Sequence, residues 1–170
     1  MELQGNGFTL RQWQHGDEES LQKYADNPRV SAYLFDRFPY PYTADDAKFW
    51  INLQQNAAQL TTFAIVIDGE AAGGIGIELR DDVYSRNAKF GYWLGEPFWG
   101  RSIMPEAARL VVDYGFQNFD LVRLEAGVFS NNPRSMRVLE KAGFIFEGVH
   151  PKAIYKRGEL LDEHVYAIFR

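Results

Sequence analysis

Residues 96–107 read Glu-Pro-Phe-Trp-Gly-Arg-Ser-Ile-Met-Pro-Glu-Ala. A strand-like run, Phe90–Leu94, precedes this stretch, and a strongly apolar helical run, Met104–Phe116, follows it. A strand, a turn of small residues and a helix start together aim free backbone N–H groups at one point. Backbone donors at Gly100 to Met104, the helix dipole and the Arg101 guanidinium would jointly hold an anion such as a pyrophosphate. Spacing alone equally allows a plain connection with a surface arginine. The phosphate loop G-x-x-x-x-G-K-[ST] is absent, which argues against ATP or GTP hydrolysis.

A second strand-to-helix junction is Ser130-Asn131-Asn132-Pro133-Arg134-Ser135. Asn132 suits a helix cap, Pro133 the first helical position, and Ser135 a first-turn hydroxyl able to face a ligand. His15, His150 and His164 show no metal-like spacing. Glu78 and Glu125 lie in apolar strand patterns. There a carboxylate either faces solvent or serves as a tuned acid or base in a cleft.

The elements that must position these groups follow from periodicity. Phe8–Trp13 alternates as a strand, Asp17 heads a helix to about Ala25, and Asn27-Pro28 starts a short second helix. Phe35–Tyr42 holds two prolines and four aromatics, so it is a loop, either pinned by its own packing or facing a substrate. Phe35, Phe38, Tyr40 and Tyr42 are its candidate binding residues. Thr43 caps a helix expected to reach about Leu60. Thr61–Ile67, Ala71–Arg80 and Ala88–Leu94 form an antiparallel meander, with Asp68-Gly69 as a hairpin turn. After the helix from Met104 come a strand (Leu121–Phe129), a helix ended by Gly143, and strands over Phe144–Gly148 and about Glu159–Phe169. A further strand over Ala153–Lys156 is an option. The result is a mixed α/β (α+β) single domain over residues 1–170.

Composition narrows the function. The chain has 170 residues, 46% hydrophobic and 15% aromatic, enough for an ordered core. With 18 Lys+Arg against 23 Asp+Glu, the net charge of −5 argues against nucleic acid as a partner. There is no cysteine, which removes disulfides, thiolate metal sites and Cys nucleophiles. The polar opening and the lack of a long apolar run make no membrane and a cytoplasmic location the expectation.

Three segments in order resemble the GCN5-related N-acetyltransferases (GNAT), most nearly their ribosomal-protein-alanine acetyltransferase-like branch. They are Gly91-Tyr92-Trp93-Leu94-Gly95-Glu96, Trp99 to Ala107, and Asn132 to Phe144. The resemblance implies a mostly antiparallel central sheet with splayed fourth and fifth strands, flanked by helices. It implies transfer of acetyl from acetyl-CoA, with no metal, to a primary amine by direct attack in a ternary complex. The acceptor would be a protein N-terminus or a small molecule, and the protein a monomer or homodimer. A non-catalytic acyl-CoA-binding protein of the same fold is the alternative.

On that resemblance the anion is the CoA pyrophosphate, held at Trp99, Gly100, Arg101, Ser102, Ile103 and Met104. Trp93, Leu94 and Gly95 would run along pantetheine, with the Leu94 N–H donating to the thioester carbonyl. Asn132 would touch pantetheine, and Ser135 would protonate the leaving thiolate. The chain departs from the family pattern at Ser102 and Met104, where glycine and a small residue are usual, and at Leu139, where many members have a tyrosine. Lys89 stands where a glutamate is common, so no standard general base is visible. Ser102 offers its N–H only if its backbone does not require positive φ, and Met104 is expected to narrow the site.

Overall fold

A hairpin opens the chain in the computed structural model, which describes residues 1–170. Strands β1 (Glu2–Gly5) and β2 (Phe8–Arg11) pair antiparallel across Asn6-Gly7, with Gly7 at φ 78°. The polar composition of residues 1–6 hides β1, and Asn-Gly is the turn signal that reveals it. Next come α1 (Glu18–Ala25), α2 (Pro28–Ser31) and α3 (Ala44–Gln55). Strands β3 (Thr62–Ile67), β4 (Glu70–Leu79) and β5 (Asn87–Leu94) lead to α4 (Ile103–Asn118). Strand β6 (Arg123–Phe129), helix α5 (Pro133–Ala142) and strands β7 (Ile145–Lys156) and β8 (Glu159–Phe169) complete the fold.

The eight strands are ordered β1-β2-β3-β4-β5-β6-β8-β7. The pairing of β5 with β6 is parallel, and β2/β3, β3/β4, β6/β8 and β7/β8 are antiparallel. The fourth and fifth strands of the sequence reading are β5 and β6. They pair only at Asn87↔Arg123, Ala88↔Leu124 and Lys89↔Glu125, although both strands run on, which is the splay expected of them.

By contact density the chain forms two compact units. Unit one is residues 1–76 and 92–107, and unit two is residues 77–91 and 108–170. Trp13, Leu21, Ala25, Tyr42, Ala47, Ile51, Ala64 and Ala71 make the core of unit one. Unit two alternates buried Leu124, Ala126 and Val128 along β6 and adds Val111, Leu139 and Phe144. The Phe90 and Phe144 rings lie 5.2 Å apart.

Several element ends differ from expectation for visible reasons. Asp17 stands at the head of α1 without capping it. Its carboxylate instead receives the Arg11 guanidinium on both oxygens at 2.8 Å and the Gln14 N–H at 3.0 Å. Helix α3 stops at Gln55, short of Leu60, because the Asn56 side chain donates to the Asn52 carbonyl at 2.8 Å and satisfies the helix end. Its start carries the full Thr43/Asp46 capping box. The two short strands expected between Phe144 and Lys156 are one strand, β7. It carries register shifts at Phe146/Gly148 and His150/Ile154 and holds Lys152 at φ 54°. Pro151, which has no N–H to give the ladder, falls inside the second shift.

Candidate active site

The end of β5 passes directly into the donor-rich turn. The Gly95 N–H donates to the Ala72 carbonyl at 2.7 Å, and the Trp99 indole Nε1 donates to the Leu94 carbonyl at 2.7 Å. A short 3-10 turn, Glu96–Phe98, is closed by Phe98 and Trp99 N–H groups on the Gly95 and Glu96 carbonyls. The Tyr24 ring packs edge-on against Phe98 at 5.3 Å, and the Arg101 guanidinium lies 5.3 Å from the same Phe98 ring. A Cβ on Gly95 would come within 2.9 Å of the Tyr24 ring and 3.0 Å of the Ala72 carbonyl, so only glycine fits there.

Two residues of this turn have left-handed backbone, Gly100 at φ 77° and Ser102 at φ 60°. Ser102 thus takes the positive φ that its sequence-based expectation required it to avoid, and its N–H is nonetheless left out of the turn's own hydrogen bonds. Left-handed residues next to ordinary ones turn successive N–H groups to one side, the geometry of an anion nest. None of the turn or cap hydrogen bonds of the stretch uses the N–H of Gly100, Arg101 or Ser102. The side chains divide sharply: Gly100, Arg101 and Ser102 are exposed, whereas Ile103 and Met104 are buried. Met104 is only 6% exposed. It therefore belongs to the interior, contrary to the expectation that its side chain narrows the site. Helix α4 begins one residue earlier than expected, at Ile103, which puts Pro105 in the first turn, where its missing N–H costs nothing.

A carboxylate, Glu96, also lies in this donor-rich stretch. Glu96 is held by the Asn27 side-chain amide at 2.9 Å and by Arg29 at 2.7 Å. No local pattern signals this link, because Asn27, the N-cap of α2, and Arg29, within it, lie far away in the chain. The aromatic loop divides as well. Phe35 and Tyr40 are exposed (58% and 51%), Phe38 is half-buried against Trp93, and Tyr42 is 5% exposed. Burial, with a smaller push from Asp46, drives the Tyr42 hydroxyl pKa far up, so it is no acid at neutral pH. The side chain of Tyr42 serves the core.

In unit two, Asn132 and Ser135 lie at the start of α5, both half-buried. The Asn132 side-chain oxygen accepts the Ser135 N–H at 3.3 Å, the expected cap. Asp162 braces this junction: the Ser130 N–H donates to its carbonyl (2.9 Å) and its own N–H donates to the Ser130 hydroxyl (3.1 Å). The Lys152 N–H donates to the Asp162 carboxylate at 2.8 Å. Glu125 is bound by Lys89 and, at 2.9 Å, by Arg123. Burial works to raise its pKa, but these two cations outweigh burial and hold the carboxyl below its ordinary range. A carboxylate so held is a weak base. No group of three or more His, Cys, Asp or Glu side chains is placed to hold a metal ion. No helix is long and apolar enough to cross a membrane.

The fold with its mixed sheet and flanking helices matches solved acetyltransferases. The ribosomal L7/L12 alpha-N-protein acetyltransferase, solved in complex with coenzyme A, superposes with TM-score 0.85 over 99% of this chain and 98% of that one, at 20% identity. The acetyltransferase (GNAT) domain description matches residues 8–145. An uncharacterized N-acetyltransferase, p20, of Bacillus licheniformis is 30% identical over 166 residues, spanning 96% of this chain and 93% of the relative. The spermidine N(1)-acetyltransferase of Escherichia coli (strain K12) is 26% identical over 161 residues, covering 95% and 85%. The chain belongs to the GNAT acetyltransferases and is an N-acetyltransferase.

Proposed function

We propose that the protein transfers acetyl from acetyl-CoA to a primary amine, either a peptide N-terminus or a small molecule, by direct attack in a ternary complex. The observation that carries this reading is the trio of uncommitted N–H groups at Gly100, Arg101 and Ser102, bracketed by two left-handed residues at the head of α4. That arrangement fits a pyrophosphate, and Arg101 adds an exposed positive charge beside it. Acetyl-CoA supplies the activated acetyl group. The Leu94 N–H then donates to the acyl oxygen as negative charge gathers there, while the Trp99 indole fixes the same residue's carbonyl. Trp93 and Gly95 flank the pantetheine arm on this reading.

For unit two, Asn132 is assigned to pantetheine through its side-chain NH2, since its oxygen is engaged as a cap. Ser135 is assigned the proton that the departing thiolate takes up. Both assignments rest on the motif Asn132 to Phe144. With Glu125 tied to Lys89 and Arg123, the amine reaches the site already deprotonated or gives its proton to water. Most of the rate gain comes from holding amine and thioester together. The test is calorimetric titration with CoA and acetyl-CoA consumption with a panel of amines and peptides. Arg101→Ala is expected to weaken CoA binding roughly tenfold, the loss of one charge-assisted contact. Ser135→Ala is expected to lower kcat and leave CoA affinity intact. A wild-type protein that fails to bind CoA ends the proposal.

A further inference from the structure

We propose that the acceptor side of unit one is an aromatic wall that selects amines carrying a flat apolar group over polycationic amines. The inference rests on the transferase reading above and names its acceptor class.

Phe38 stands edge-on to Trp93 at 5.4 Å and 63°, and lies 5.1 Å from Tyr42. The Trp93 indole rests over Gly74, where an added Cβ would meet its Nε1 at 2.8 Å and the buried Trp13 ring at 3.2 Å. Trp93 is thereby backed by the core and is half-buried. Phe35 and Tyr40, both more than half exposed, flank Phe38 along the chain. Trp93 immediately precedes Leu94, whose N–H is assigned to the acyl oxygen, so this wall adjoins the point of transfer. Rigid aromatic rings give contact area at small entropic cost.

Charge decides what the wall receives. A polyamine brings several ammonium groups, whose lost hydration is offset best by carboxylates and only weakly by exposed aromatic rings. Several carboxylates of this unit are already engaged. Asp26 accepts the Tyr42 N–H at 3.0 Å, and Glu96 is held by Asn27 and Arg29. Glu70 is taken by Lys23 and Tyr24, Asp46 by Thr43, and Asp17 by Arg11. Asp36 has an interaction of its own. Arg37 adds a positive charge on the loop itself, its guanidinium 5.0 Å from the Phe35 ring. One attacking amine, deprotonated, with an aromatic or branched apolar neighbour, matches this surface.

The experiment compares kcat/KM for 2-phenylethylamine, a phenylalanine-first tripeptide, ethylamine and spermidine, with acetyl-CoA affinity followed by calorimetry. At least tenfold preference for the two aromatic acceptors over both ethylamine and spermidine is expected. A Phe35→Ala/Tyr40→Ala double variant should lose about tenfold on the aromatic acceptors, with acetyl-CoA affinity held within twofold. Both positions are exposed, so the fold tolerates them. Preference for spermidine, or a double variant indifferent to the aromatic acceptors, overturns the wall and leaves the transferase reading standing. Acetyl-CoA bound with no amine acetylated overturns the wall. Absence of CoA binding overturns both readings at once.

Discussion

Ser102→Gly tests the turn where its chemistry is least ordinary. Ser102 holds φ 60° with an exposed side chain. An L-residue with a Cβ loses about 1–2 kcal/mol in the left-handed region relative to its preferred one. Glycine removes that loss. It also enlarges the unfolded ensemble, which costs about 0.4–1 kcal/mol. The difference leaves a gain of about 0.5–1 kcal/mol, with Tm rising roughly 2–4 °C per kcal/mol for a chain of this size. Ser102→Val runs the other way, because a β-branched residue tolerates positive φ worst. It should lose stability by about 1–2 kcal/mol.

CoA separates the two roles that Ser102 could have. If its backbone N–H is the contact, Ser102→Gly keeps CoA affinity within twofold while raising Tm, and Ser102→Val weakens binding by disturbing the turn. Thermal melts with and without CoA, together with calorimetric Kd values, read both effects. A glycine variant that melts lower than wild type would refute the strain argument. One that melts higher but binds CoA tenfold more weakly would show that the hydroxyl, and not the N–H, meets the phosphate.

Other perturbations follow from the same geometry. Gly73→Ala should destabilise unit one by about 1–3 kcal/mol, because its Cβ would lie 2.6 Å from the Trp93 carbonyl, a backbone atom that cannot swing aside; urea unfolding measures it. Asp17→Ala should cost about 3–5 kcal/mol, since it strands the largely buried Arg11 guanidinium; a loss below 1 kcal/mol in urea would contradict this. Glu18, Glu70, Glu125 and Glu147 all sit below the ordinary carboxyl range in the folded protein. Their stabilisation is present above the unfolded carboxyl pKa, about 4.3, and is lost as pH falls through the lower folded values. The urea midpoint should therefore hold from pH 7 to about 5 and drop steeply below about 4, and Glu125→Gln should soften that drop.

Much of the fold was legible because its signals are local. Thr43 with Asp46, Asn27-Pro28, Asn132-Pro133 and Gly143 each mark a helix end by chemistry within four residues, and each stands where expected. The Asp68-Gly69 turn holds φ 50° and 85°, both left-handed as a tight hairpin demands. What was hidden depends on partners distant in sequence. Asp17 looks like a cap until Arg11 claims its carboxylate, and Tyr42 looks like a loop aromatic until the α1 and α3 side chains close around it. Glu125 reads as a candidate base until Lys89 and Arg123 bind it. Composition and periodicity carry no record of such pairings. For the donor turn, Gly100 announces its conformation by type, whereas Ser102 conceals the same conformation behind a residue that rarely adopts it.

The stretch from Leu94 to Ile103 owes its precision to how many anchors a short segment receives. Its N-terminal end is hydrogen-bonded to β4 through Gly95 and Ala72, and the Trp99 indole folds back on Leu94. Glu96 is fastened to α2, Phe98 lies against Tyr24 of α1, and Ile103 and Met104 are sunk in the interior. Gly100, Arg101 and Ser102 lie exposed between these anchors, and Ser102 holds a left-handed conformation that an unrestrained serine avoids. Their N–H groups are therefore ordered before any anion arrives. On the proposed reading, binding a phosphate would cost little further chain entropy, which is the physical meaning of preorganisation. The same anchoring fixes the Leu94 amide relative to the turn. A ligand gripped at one end of this stretch accordingly has its reach to the other end set by the fold.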